Sequence, residues 1–93
     1  MAANKQKRIP ASVGGRGWSL KQNFGAGADG SMGAPITITG IKKGDIVVSA
    51  IEMQDTSPVL VNMLEVVISD ADEVTGTTDT SGNIVLVTWW TKS

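Results

Sequence analysis

The stretch Pro35-Ile-Thr-Ile-Thr-Gly40-Ile-Lys-Lys-Gly44-Asp45-Ile-Val-Val-Ser-Ala-Ile-Glu-Met53 decides the fold class. Ile36 and Ile38 alternate with Thr37 and Thr39, and β-branched side chains at period two suit a pleated, half-buried strand. Lys42-Lys43-Gly44-Asp45 reads as a turn, with glycine supplying permissive backbone and aspartate a local hydrogen-bond acceptor. A second strand follows from Asp45 to Met53. It sets Ile46, Val48 and Ala50 on one face and Val47, Ser49 and Ile51 on the other. Both faces are largely apolar, so this strand is expected in the middle of a sheet.

Downstream, Asp55-Thr-Ser-Pro58 breaks the pattern, since proline lacks the ladder donor. Val59 to Ser69 fits a strand by its alternation, while Leu60, Met63, Leu64, Val67 and Ile68 also carry helical spacing. The β-branched content and the nearby turn at Asp70-Ala-Asp72 favour the strand. Glu73 to Thr78 is a further short strand, Asp79-Thr-Ser-Gly-Asn83 a hairpin-type turn, and Ile84 to Thr91 the last strand. The expected fold is therefore all-β: a small antiparallel β-sandwich or jelly-roll-like barrel over residues 35–93.

Upstream the character changes. Nine of the eleven glycines lie at or before Gly44, and residues 1–34 contain no apolar run longer than three. This segment reads as an extended, basic, Gly-rich N-terminal arm that cannot offset its own ordering entropy. Trp18, Leu20 and Phe24 stand out in it as anchors, and Trp18-Ser-Leu20 alternates as a short strand over 17–22 would. No apolar stretch of signal-peptide or membrane-spanning length is present in the sequence.

Charge follows the same division. Met1 to Phe24 holds five bases (Lys5, Lys7, Arg8, Arg16, Lys21) and no acid, whereas Gly44 to Thr91 holds eight acids and no base, inside a net charge of −1. A basic arm on an acidic body can reach nucleic acid, an anionic surface or an acidic protein, including a neighbouring copy. The acidic body and the missing RNA-binding signature disfavour direct nucleic-acid binding. Docking of the arm along another protein's sheet edge is the favoured reading.

With no Cys and no His among 93 residues, disulfides, thiolate and Ser-His chemistry and the commonest zinc ligands are excluded. No enzyme activity, cofactor, metal or small-molecule substrate is expected. Gly25-Ala-Gly27-Ala-Asp-Gly30 matches G-x-G-x-x-G, but it neither follows a buried strand nor opens a helix, and it reads as a flexible loop. Asp70, Asp72, Glu73 and Asp79 lack the EF-hand spacing, with Thr75 where the glycine belongs and Ser81 where the glutamate belongs; they read as a solvated acidic turn. Glu52 and Asp55 read as solvent-facing. Trp89 and Trp90 must point to opposite faces of the last strand. One joins the core; the other is either covered as well, by the second layer or the N-terminal arm, or left over for self-association or docking on a larger host.

Ile38-Thr-Gly-Ile-Lys-Lys-Gly-Asp-Ile-Val-Val-Ser49, Asp70-Ala-Asp72, Thr77-Thr-Asp-Thr-Ser-Gly82 and Val85-Leu-Val-Thr-Trp-Trp90 resemble small structural proteins of tailed bacteriophages, in particular head decoration, or cement, proteins. The resemblance covers the β body and leaves the arm unmatched. It implies a homodimer or homotrimer that binds the major capsid protein on the outside of the head. Such a protein is made in the host cytoplasm, has no catalytic site and requires no membrane. The expected interface residues are Lys5, Lys7, Arg8, Arg16, Trp18, Leu20, Phe24, Trp89 and Trp90. A tail, fibre or baseplate adaptor, or a small ligand- or nucleic-acid-binding β-domain, are the alternative readings.

Overall fold

The structure, a computed structural model, describes residues 17–56 and 59–92. Among the described residues, seven strands form two antiparallel sheets: β1 (Trp18–Ala26), β2 (Ile36–Thr37), β3 (Ile46–Gln54), β4 (Leu60–Met63), β5 (Val67–Asp70), β6 (Glu73–Thr75) and β7 (Asn83–Lys92). One sheet has the order β1-β7-β3-β4 and the other β2-β6-β5. The all-β sandwich expected from the alternation is what the chain forms.

The core lies between the layers. Val85, Val87 and Trp89 of β7 and Ala50 of β3 face Ile36, Ile38, Ile41 and Val74, all of them buried. β7 is an inner strand, paired over its length with β1 on one side and with β3 on the other. β3 is likewise an inner strand, as its two apolar faces predicted.

Four local features depart from the alternation, each for a physical reason. The register of β3 against β7 shifts between Val47 and Ser49, a bulge that inserts Val48. Past the bulge the parity changes, so Val47, Ala50 and Glu52 share the inward face, while Ile46, Ser49, Ile51 and Met53 point outward. The expected grouping of Ile46 and Val48 with Ala50 is corrected accordingly. The expected strand over 35–41 shortens to Ile36–Thr37 because the chain turns around Asp72. The Ile38 N–H donates to the Asp72 carbonyl at 2.9 Å, the Asp72 N–H to the Ile41 carbonyl at 2.8 Å and the Gly40 N–H to the Asp72 carboxylate at 2.7 Å.

Val59 to Ser69 is β as expected, but it divides between the two sheets. β4 ends at Met63, Leu64 and Val66 turn inward onto the core, and β5 begins at Val67 in the opposite layer. The Asp79–Asn83 turn is present yet joins β6 to β7, which belong to different sheets, so it makes a crossover and not a hairpin.

The segment 17–34, expected as part of an arm, is built into the body. β1 pairs residue by residue with β7 from Trp18↔Lys92 to Ala26↔Ile84. A one-turn 3-10 helix, Gly30–Met32, then leads into β2. The glycines that suggested flexibility are positions of close approach. A Cβ on Gly25 would lie 2.1 Å from the Thr37 carbonyl oxygen, on Gly27 1.9 Å from that of Thr80, and on Gly30 2.6 Å from that of Thr78. The loop reading of Gly25 to Gly30 is therefore corrected: these glycines let the chain lie against the second layer and the 78–80 crossover.

Glu52 is also corrected. It lies on the inward face with 4% exposure, and its carboxylate accepts the Asn83 side-chain amide at 2.8 Å. Glu52→Ala is expected to lower stability by about 2–3 kcal/mol, since the amide loses its acceptor and the inner layer loses packing. Glu52→Gln keeps volume and acceptor and is expected to cost about 1 kcal/mol or less. Urea unfolding of both variants checks this, and equal losses would contradict the pairing.

Candidate interaction surface

Directly opposed residues of an antiparallel pair point to the same side. The inward side of the four-stranded sheet is the core; the register shows what its other side carries. On β7 that side holds Ile84, Leu86, Thr88 and Trp90. On β1 it holds Ala26, Phe24, Gln22, Leu20 and Trp18, opposite Ile84, Leu86, Thr88, Trp90 and Lys92. On β3, Met53, Ile51, Ser49 and Ile46 oppose Ile84, Leu86, Thr88 and Trp90. On β4, Leu60 opposes Met53 and Met63 opposes Ile51.

The result is an apolar face running across all four strands and uncovered by any other described element. Leu20 is 54% exposed, Phe24 61% and Met63 71%, and Ile46 and Leu60 are exposed as well. Its polar interruptions include Gln22 and Thr88, which are joined by a 3.0 Å bond from the amide to the hydroxyl. Lys92, at one end, is the charged residue of the face. Apolar areas of this kind are unusual on free soluble domains, which makes this face the candidate contact surface.

The end of the sheet near Lys92 is fastened. The Asp45 carboxylate accepts the Thr91 hydroxyl at 2.7 Å and the Lys42 backbone N–H at 2.9 Å, and Lys42 Nζ lies 3.4 Å from it. The Lys42 ammonium also donates to the Thr91 hydroxyl and, at 3.2 Å, to the Lys92 carbonyl. The predicted Lys42–Asp45 turn thus pins the last residues of β7, on which Trp90 depends for its position.

Of the interface residues expected from sequence, Trp18, Leu20, Phe24 and Trp90 are gathered on this one face. Trp89 is not: it is 2% exposed and belongs to the core with Val85 and Val87, and its indole N–H has no partner among the described residues. Lys5, Lys7, Arg8 and Arg16 lie outside the described residues. Sequence reading missed Ile46, Ile51, Met53, Leu60, Met63, Ile84 and Leu86. The signal for β3 was its second apolar face, but the bulge hid which residues formed it.

A second feature is a groove of about 660 Å³ between the layers, lined by Val47 to Ala50, Leu64 to Val67 and Thr75 to Thr77. It opens where β4 stops pairing with β3 at Ile51, so the edge of β3 before Ala50 has no strand partner on that side among the described residues. Val48, the bulge residue, stands half-exposed at its rim.

The acidic turn residues are engaged locally. Asp70 accepts the Ala71 N–H at 2.8 Å and Asp72 that of Gly40. Asp79 accepts the Ser81 hydroxyl at 2.6 Å and its N–H at 3.0 Å, and these bonds, the hydroxyl foremost, hold its carboxyl below the ordinary value of 3.8. Among the described residues no three carboxylates converge as a metal site would require.

Compared with protein-family models, with curated proteins and with solved structures, the chain matches none of them.

Proposed function

We propose that this is a non-catalytic assembly protein of a tailed-phage particle, a decoration protein that binds outside the capsid shell and stabilises it through many repeated contacts. The single observation that carries the reading is the uncovered apolar face of the four-stranded sheet, fastened at one end by the Lys42–Asp45–Thr91 network. A small domain that presents this much apolar surface gains stability from whatever covers it, by mass action. Repetition by symmetry turns a modest interface into firm attachment. The resemblance of the Ile38–Ser49 and Val85–Trp90 segments to head decoration proteins supplies the class of particle, with the major capsid protein as host and a dimer or trimer as the bound form.

The test is addition of the purified full chain to shells that lack it, followed by sedimentation and imaging. Saturable, symmetric occupancy of the shell, with a raised temperature of shell disruption, is expected. Labelled chain found on tails or baseplates would replace the decoration role by an adaptor role, and salt-sensitive retention on DNA or RNA would replace both. Truncation should stop at residue 16, because removing Trp18 to Phe24 strips an edge strand from the sheet. Unchanged occupancy after that truncation would dismiss a docking role for the basic residues Lys5, Lys7, Arg8 and Arg16.

A further inference from the structure

We propose that the outer face of the four-stranded sheet is closed by a second copy of this chain, the two sheets stacking face to face about a two-fold axis. The proposal deepens the assembly reading, on which it rests for the premise that the face is a contact surface. Three properties of the face choose this occupant over a foreign one.

Area is the first. Four strands about 4.8 Å apart and four to ten residues long, at about 3.3 Å each, span a plane of roughly 500 Å². The relief of Trp90, Phe24 and Met63 adds accessible surface to that plane. The sum approaches the roughly 600–800 Å² per partner that a stable dimer buries. Residues 1–16 do not offer an equivalent cover, since their large apolar side chains are Met1, Ile9 and Val13.

Charge is the second. The body from Gly44 to Thr91 carries eight acids and no base, so a neutral surface lets two copies meet without placing like charges together. The outward register positions of β1, β3 and β4 carry no charge, and Lys92 sits at the end of β7.

Polar satisfaction is the third. The central Gln22 amide and Thr88 hydroxyl are already joined by one hydrogen bond at 3.0 Å, which lowers the cost of burying them when the sheets stack. A sheet plane offered to its own mate meets a plane of the same shape at the usual sheet spacing of about 10 Å.

Sedimentation velocity on the full chain, over about two decades of concentration, tests the proposal. The wild type is expected to be a dimer. Phe24→Lys and Met63→Lys alter exposed positions on opposite edge strands; each is expected to weaken dimerisation at least about a hundred-fold with an unchanged far-UV spectrum. If one variant fails to fold, the other carries the test. Val67→Lys, 67% exposed on the other sheet, is expected to leave the affinity as in wild type. A monomeric or trimeric wild type, or a dimer indifferent to both face variants, overturns the proposal. A monomer that still saturates shells removes the second copy and leaves the decoration role standing. A face-dependent dimer that binds no shell supports the proposal and removes that role.

Discussion

Gly27→Ala is expected to remove most of the domain's stability. The added Cβ would stand 1.9 Å from the Thr80 carbonyl oxygen and 2.7 Å from its carbon, both backbone atoms with no rotamer to yield. That backbone is clamped on every side. The Gly27 N–H donates to the Asn83 carbonyl at 2.8 Å, the Thr80 N–H to the Ala28 carbonyl at 2.9 Å, and the buried Thr80 hydroxyl bridges the Ala28 N–H and carbonyl at 3.0 Å each. Relief requires the start of the β7 crossover to part from β1, which breaks these bonds together. A loss of about 3 kcal/mol or more is expected. For a chain of this size that is a fall of roughly 15 °C or more in melting temperature. Gly33→Ala is the comparison: its site is open, and only the left-handed φ of 81° opposes a side chain. It is expected to cost about 1–2 kcal/mol. If both variants melt together, the close approach at Gly27 is not what holds the layers.

Trp89→Ala is expected to have a comparable effect by another route. The indole is buried among Val85, Val87 and Ile41 and lies under Gly40, where a Cβ would sit 3.7 Å from its ring. Truncation leaves a cavity worth about 3–5 kcal/mol in such cores. Removal of the unpartnered indole N–H returns about 1 kcal/mol of that. Trp89→Phe keeps most of the apolar volume without the donor and is expected to cost clearly less. Trp90→Ala, next in sequence but on the outer face, is expected to change monomer stability by about 1 kcal/mol or less, measured in the Phe24→Lys background. Equal losses at positions 89 and 90 would contradict the inside–outside assignment of β7.

These two positions also mark what a linear reading can and cannot supply. Alternation at Ile36–Thr39, the two-sided apolar run of β3 and the Val85–Trp90 stretch made the all-β sandwich legible, because period-two burial is written into single strands. That Trp89 and Trp90 would point to opposite faces was legible too, whereas which one is buried depended on register with β1 and β3. The glycines show the limit most clearly. A glycine kept for freedom and a glycine kept because another backbone passes within 2–3 Å of it look identical in sequence, so Gly25, Gly27 and Gly30 suggested a flexible arm. The bulge at Val48 and the change of sheet at Leu64–Val66 are likewise set by long-range packing. The outer face became visible only once four strands, distant in sequence, were laid side by side. Trp18, Leu20 and Phe24 stand out in sequence as large apolar residues in an otherwise polar arm, and Trp89 and Trp90 stand out together; only the register separates the buried Trp89 from the other four.

The central claim is that the outer face of the β1-β7-β3-β4 sheet is covered when the protein functions. Oxidative footprinting of the three tryptophans, read by mass spectrometry on the particle-bound chain and on the monomeric Phe24→Lys variant, tests it most directly. Trp89 should be protected in both, whereas Trp18 and Trp90 should react in the variant and be protected on the particle. Equal reactivity of Trp18 and Trp90 in the two states would mean that the face stays open to water in the assembly, and would contradict the claim.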